Sequence, residues 1–222
     1  MIKHRFFLGL DLGEVKDFTA FAAIEAIGGP GGPLYRLIGL ERSKADVNTE
    51  ILDRVSDSSV SLSYWDRVVR YLARHLRSHQ FHRDSLLGID ATGIGRPVVR
   101  MLLESPMVKE THTPVYPFEF RGNGSREYQR QNGLIQITRR TVLSSVQIVM
   151  GQGRLKIPER LREAEVLKRE LLSVRIEEGR QDHLDERSRE HDDMVFAVAL
   201  PIHLAETLAK QGVGGWVPVR YS

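Results

Sequence analysis

Apolar side chains run without polar interruption through Phe6-Phe7-Leu8-Gly9-Leu10 and stop at a carboxylate, Asp11. A run that does not alternate predicts a strand covered on both faces, in the interior of a sheet. The same pattern returns at Leu86-Leu87-Gly88-Ile89-Asp90. Between them, Leu12 to Asp17 predicts a turn, Phe18 to Ile27 a second strand, Gly28-Gly29-Pro30-Gly31-Gly32-Pro33 a break, and Leu34 to Glu41 a third strand. Three strands joined by turns form an antiparallel meander, with the fully apolar first strand central. Lys44 to Ser61 is polar and predicts a connection. From Leu62 to Leu76 the apolar residues Trp65, Val68, Val69, Leu72 and Leu76 recur at helical spacing, with Arg67, Arg70, Arg74 and Arg77 largely between them as an exposed face.

Beyond Asp90, Gly93 and Gly95 predict a loop, and Pro97 suits the first turn of a helix reaching Leu103. Thr113 to Phe120 predicts a strand whose prolines, Pro114 and Pro117, argue for an edge or irregular position. Leu134 to Met150 predicts a helix, Arg154 to Ile157 a short extended piece, Pro158 to Leu172 a helix and Leu172 to Ile176 a last strand. Arg189 to Lys210 predicts a long, mostly apolar helix opened by His191, Asp192 and Asp193. A meander followed by alternating helices and strands is an α/β domain with a mixed sheet flanked by helices. No internal repeat or composition change divides the 222 residues, so one domain over 1–222 is expected.

Composition is that of an ordinary folded protein, 41% apolar and 27% charged. With no cysteine, disulfides, thiolate metal sites and a cysteine nucleophile are excluded. The apolar start is interrupted by Asp11 and Glu14 too early for a signal peptide, and no run reaches the roughly 18 residues of a membrane span, so a cytoplasmic protein with no membrane partner is expected. Net charge is only +3, so local clusters of charge matter more than the sum. One such cluster, Arg121 to Arg140, holds Arg121, Arg126, Arg130, Arg139 and Arg140 against the single acid Glu127. A flexible cationic stretch of guanidinium groups suits phosphate backbones, whereas the mixed-sign block from Arg154 to Arg180 reads as salt-bridged surface.

Asp11, Asp90 and the Asp192-Asp193 pair are far apart in sequence, and each is attached to a core element. Singly, each has an ordinary explanation, as a turn residue at a strand end or as an acid at a helix N-terminus. Together they supply the hard oxygen donors that Mg²⁺ or Mn²⁺ prefers, carried on rigid elements. His191 and Asp17 are subsidiary candidates, the first as a ligand or phosphate contact and the second as a neighbour of the cluster.

Leu8-Gly9-Leu10-Asp11-Leu12-Gly13 with Asp17-Phe18-Thr19-Ala20, Gly88-Ile89-Asp90, Gly153-Arg154-Leu155-Lys156-Ile157-Pro158 and especially His191-Asp192-Asp193-Met194-Val195-Phe196-Ala197-Val198-Ala199 resemble the nuclease domain of tailed-phage large terminase subunits. The resemblance implies a ribonuclease H-like fold related to Holliday-junction resolvases. It also implies two-metal-ion cleavage of double-stranded DNA, with Asp11 and Asp90 as the strand carboxylates and Asp192 and Asp193 as the helix pair. An ATPase domain and the packaging partners, portal and small terminase, are implied in the host cytoplasm. The chain departs from a complete large terminase in having no G-x-x-x-x-G-K-[ST] phosphate loop. Two other readings remain open here. One is an actin- or sugar-kinase-like ATP-binding phosphotransferase, whose phosphate loops Asp11-Leu12-Gly13 and Asp90-Ala91-Thr92-Gly93 could imitate; it leaves Asp192-Asp193 unexplained. The other is a catalytically silent DNA-binding packaging module.

Overall fold

The first apolar run forms strand β1, Phe6–Asp11, buried along its whole length. A computed structural model describes residues 5–13, 18–29, 31–44, 64–93, 95–122, 130–131, 133–173 and 192–211. The remaining strands are β2 (Phe18–Ile27), β3 (Leu34–Lys44), β4 (Ser85–Asp90), β5 (Val115–Phe120), β6 (Arg130–Gln131), β7 (Leu134–Ile137) and β8 (Leu155–Lys156). The helices are α1 (Tyr64–Arg77), α2 (Gly95–Glu104), α3 (Pro106–Lys109), α4 (Arg139–Gly151), α5 (Ala164–Ser173) and α6 (Asp193–Gln211).

The described strands form one eight-stranded mixed sheet in the order β6-β7-β5-β4-β1-β2-β3-β8. β1, β2 and β3 are the antiparallel meander expected, and β1, β4, β5 and β7 run parallel. Period-2 alternation divides β1 between two cores. Phe6, Leu8 and Leu10 pack with Val68, Leu72 and Leu76 of α1 and Val98 and Leu102 of α2, while Phe7 joins the α4, α5 and α6 side. In β4, Leu87 and Ile89 face α1 and α2, and Leu86 faces α6. Both strands thus bury both faces, as their unbroken apolar pattern predicts. None of the described helices is long and apolar enough to cross a membrane.

Several predicted elements shift. The helix expected from Leu134 divides into β7 and α4, separated by Thr138, whose hydroxyl accepts the Thr141 backbone N–H at 3.2 Å as an N-cap. The strand with two prolines lies inside the sheet, between β4 and β7. Leu87 and Ala91 of the neighbouring segment donate to the Pro114 and Phe118 carbonyls, so the even residues of β5 face β4 and Pro117 turns its nitrogen the other way. Pairing with β7 starts only at Phe118, so Pro117 interrupts no ladder bond there. The helix expected from Pro158 begins at Ala164 and continues to Ser173, taking in Leu172 and Ser173 from the expected last strand; residues 174–176 lie outside the described residues.

Helix α6 lies directly on the sheet because two glycines make room for it. A Cβ on Gly9 would overlap the Ala197 carbonyl oxygen and sit 2.6 Å from Pro201 Cδ. Pro201 has no N–H to give the carbonyl four residues before it, and that carbonyl, Ala197, is the one set against Gly9. At Gly88 a Cβ would meet Phe118 at 3.3 Å and Leu200 Cβ at 3.6 Å. Further along α6, His203 is buried; its Nδ1 hydrogen-bonds Ser145 Oγ at 2.7 Å and its ring meets Phe118 edge-on.

Gly9→Ala is therefore expected to destabilise the protein by about 3 kcal/mol or to prevent folding. Gly28→Ala, with nothing within 4 Å, should stay within about 0.5 kcal/mol in the same urea denaturation. Burial, aided by Lys210, pushes the His203 imidazole down to about 4. The unfolded chain then takes up the proton first, so stability is present above the ordinary histidine value and is lost as pH falls towards 4. Between pH 7 and 5 this amounts to about 2 kcal/mol, and urea melts of His203→Gln should show a pH dependence smaller by that amount.

Candidate functional site

The parallel register of β1 and β4 pairs Gly9 with Gly88 and Leu10 with Ile89, which brings Asp11 and Asp90 to the same level at the strand ends. Alternation puts both aspartates on the face of Gly9 and Gly88, the face that α6 covers. Helix α6 reaches them from above. From Ala197, over Gly9, one step of four residues back along the helix leads to Asp193, a rise of about 6 Å. Two residues forward from Gly9 lead to Asp11, about 7 Å along the strand. The two steps match, and the Asp193 charge acts on Asp11 more strongly than that of Asp192. The glycine two residues before each strand aspartate is thus the element that lets the helix acids approach.

Both strand aspartates are buried, 7% exposed. Burial, then the negative charges of Asp90 and Asp193, hold the Asp11 carboxyl well above the usual carboxylate range, and Arg139 opposes them. Burial also raises Asp90, against hydrogen bonds from Thr92; the Thr92 backbone N–H donates to Asp90 Oδ1 at 2.7 Å and fixes that carboxylate. Thr92 is itself tied down, its hydroxyl accepting the Phe120 N–H at 2.9 Å. A Cβ on Gly95 would strike the Asp90 carbonyl, so only glycine lets α2 start so close behind. Arg139 Nη1 donates to Asp192 Oδ2 at 3.1 Å.

Among the described residues no three acid or histidine side chains are drawn together as a finished metal-ligand set. The two strand carboxylates instead hydrogen-bond to each other, and the carboxylates of Asp193 and Asp192 act on Asp11 through their charge. Their chemistry suits a hard divalent cation: aspartate oxygens, no sulfur, and buried negative charge that Arg139 offsets only in part.

No protein-family model matches the sequence, and no characterised protein matches it by sequence alone. Solved structures do match the fold. The large terminase nuclease of thermophilic phage G20c with bound magnesium is similar over 90% of this chain and 81% of that one, at 17% identity and a TM-score of 0.55. The human cytomegalovirus terminase nuclease domain, soaked with manganese, is similar over 93% of this chain and 85% of that one, at 13% identity and a TM-score of 0.51. The chain has the ribonuclease H-like fold of the terminase nucleases. In that fold the meander and the parallel strands meet at β1 and β4, where Asp11 and Asp90 stand.

The structure distributes the predicted arginines unevenly around this sheet. Arg139 is at the acids. Arg121, just past β5, pairs with Glu119 at 2.7 Å, and Arg96 pairs with the same carboxylate. Glu119 alternates with Phe118 and Phe120, so this cluster lies on the sheet face opposite the aspartates. Arg140 is exposed on the first turn of α4. Arg126, His191 and Asp17 lie outside the described residues, as does the side chain of Arg130.

Sequence reasoning missed Glu170. It belongs to the block read as salt-bridged surface, and Lys168 with Glu165 does fit that description at 2.6 Å. Glu170 is instead buried beneath α6, where it accepts the Met194 backbone N–H and lies 3.7 Å from Arg42 Nη1. Burial and the charges of Asp193 and Asp192, opposed by Arg42, push its carboxyl up to about 7. The signal was present: Glu170 falls four residues after Val166 and three after Leu167, on the apolar face of α5.

Crowded buried acids oppose folding at neutral pH, because their raised proton affinity favours the native state only where they are protonated. Asp11→Asn is accordingly expected to stabilise the metal-free protein at pH 7.5, read as a higher melting temperature in EDTA. An unchanged or lower melting temperature would contradict the mutual repulsion described.

Proposed function

We propose that the chain is a divalent-metal-dependent endonuclease that cleaves double-stranded DNA, a single nuclease domain over 1–222 of the kind used in phage genome packaging. The observation that carries this reading is the pairing of Asp11 with Asp90 on adjacent parallel strands beneath Asp193. Metal-bound relatives of the same fold support it.

Asp11, Asp90 and Asp193 would hold Mg²⁺ or Mn²⁺, with Asp192 beside them. Two such ions, when bound, supply a nucleophilic water and charge stabilisation for the leaving oxygen. The protein's contribution is orientation. Thr92 fixes one oxygen of Asp90, the strands fix the spacing of Asp11 and Asp90, and Glu170 caps the helix that carries Asp192 and Asp193. Burial of the strand carboxylates keeps bulk water from screening charge at the point of cleavage. Arg126, Arg130, Arg139 and Arg140 would contribute phosphate contacts that add affinity without reading sequence, whereas Arg121 is held by Glu119 on the opposite sheet face. In packaging, the partners would be an ATPase domain, the portal and the small terminase, in the cytoplasm of the host.

Supercoiled plasmid with Mg²⁺ or Mn²⁺ tests this. Nicking and linearisation are expected from the wild type, with none in EDTA and a loss of at least about 100-fold in Asp90→Ala and Asp193→Ala. Undiminished cleavage by pure, folded variants would overturn the assignment of the site. Folded wild type that cuts with neither metal, in the presence or absence of an ATPase domain, would overturn the proposed activity.

A further inference from the structure

Arg139 is an unusual first residue for a helix. The N-terminus of α4 already carries the positive end of the helix dipole, which favours acids there and disfavours a guanidinium. What holds Arg139 is the site. Its guanidinium lies 4.4 Å from the Phe196 ring centroid and 5.3 Å from that of Phe120, and the two rings brace each other edge-on at 5.2 Å. From that aromatic seat Nη1 reaches Asp192 Oδ2 at 3.1 Å.

We propose that Arg139 is the resident counter-cation of the acid cluster, and that a divalent ion must displace it from Asp192 to load the helix side of the site. This rests on the metal reading above and adds its regulation. A guanidinium and a divalent ion compete for the charge of Asp192: Arg139 Nη1 stands against Oδ2, and two cations brought to the same half-buried carboxylate repel each other. The exchange requires no unfolding, since the Arg139 and Asp192 side chains are 38% and 19% exposed. The rings give Arg139 a place to stay when Asp192 leaves, so the cation is not expelled from the site.

The test is calorimetric titration of the intact chain with Mn²⁺ in the absence of DNA, with melting temperatures in EDTA alongside. Arg139→Gln should bind Mn²⁺ roughly fivefold more tightly than wild type, the scale of coupling between contacting charges. It should melt lower in EDTA, and Arg139→Lys should stay near wild type. In an Asp192→Asn background the gain from Arg139→Gln should vanish. If Arg139→Gln does not fold, Phe120→Leu, which removes one ring of the seat, should shift affinity the same way by less. Unchanged or weaker Mn²⁺ binding by a folded Arg139→Gln, or a gain that persists with Asp192→Asn, overturns the proposal. Wild type that binds no Mn²⁺ at all overturns the metal reading itself, and this proposal with it.

Discussion

The molecule depends on forcing like charges together. Asp11 and Asp90 end neighbouring parallel strands at the same level, and α6 brings two more carboxylates over them. Water is largely excluded, so the acids repel through a medium that screens poorly. Nothing about strand or helix formation requires that arrangement, and it costs stability. The surrounding structure must therefore be rigid enough to hold the acids against their repulsion. Apolar cores on both faces of the sheet provide that rigidity, and β1 and β4 are sealed between them.

The supporting contacts fall around this constraint. Gly9 and Gly88 let the α6 backbone settle onto the sheet, so the acids meet at short range. Glu170 satisfies the Met194 N–H at the start of α6, and Arg42 stands behind it between Glu163 and Glu170. At the other end of the helix, Arg154 binds Glu206 at 2.6 Å and Tyr35 donates to the same carboxylate at 2.7 Å. Those bonds tie α6 to β3 and β8. The helix is thus fixed along its length, and the position of Asp193 follows from it.

How much of this is legible in the chain depends on how local the cause is. β1, β4 and the meander are legible because burial on both faces leaves an unbroken apolar signature, and the carboxylate that ends it stands out. The division of β7 from α4 is obscured because Leu134-Ile135-Gln136-Ile137 carries apolar side chains into a helix that continues the same character. The interior place of β5 is hidden by Pro117, whose missing N–H matters only if the neighbour on that side needs it. Arg139 reads as one more cation in a basic stretch, because its partner lies 53 residues away. Glu170 could be found as an acid on an apolar helix face, but its meaning comes from α6 above it. Tertiary contacts, not propensities, decide these last cases.

The central claim is that Asp11, Asp90 and Asp193 were brought together to share divalent cations. Anomalous diffraction from Mn²⁺-soaked crystals tests it most directly. The account predicts Mn²⁺ peaks bounded by these three carboxylates, absent from Asp90→Asn crystals treated in the same way. Well-ordered carboxylates with no peak between them at millimolar Mn²⁺, or a peak confined to some other part of the protein, would contradict it.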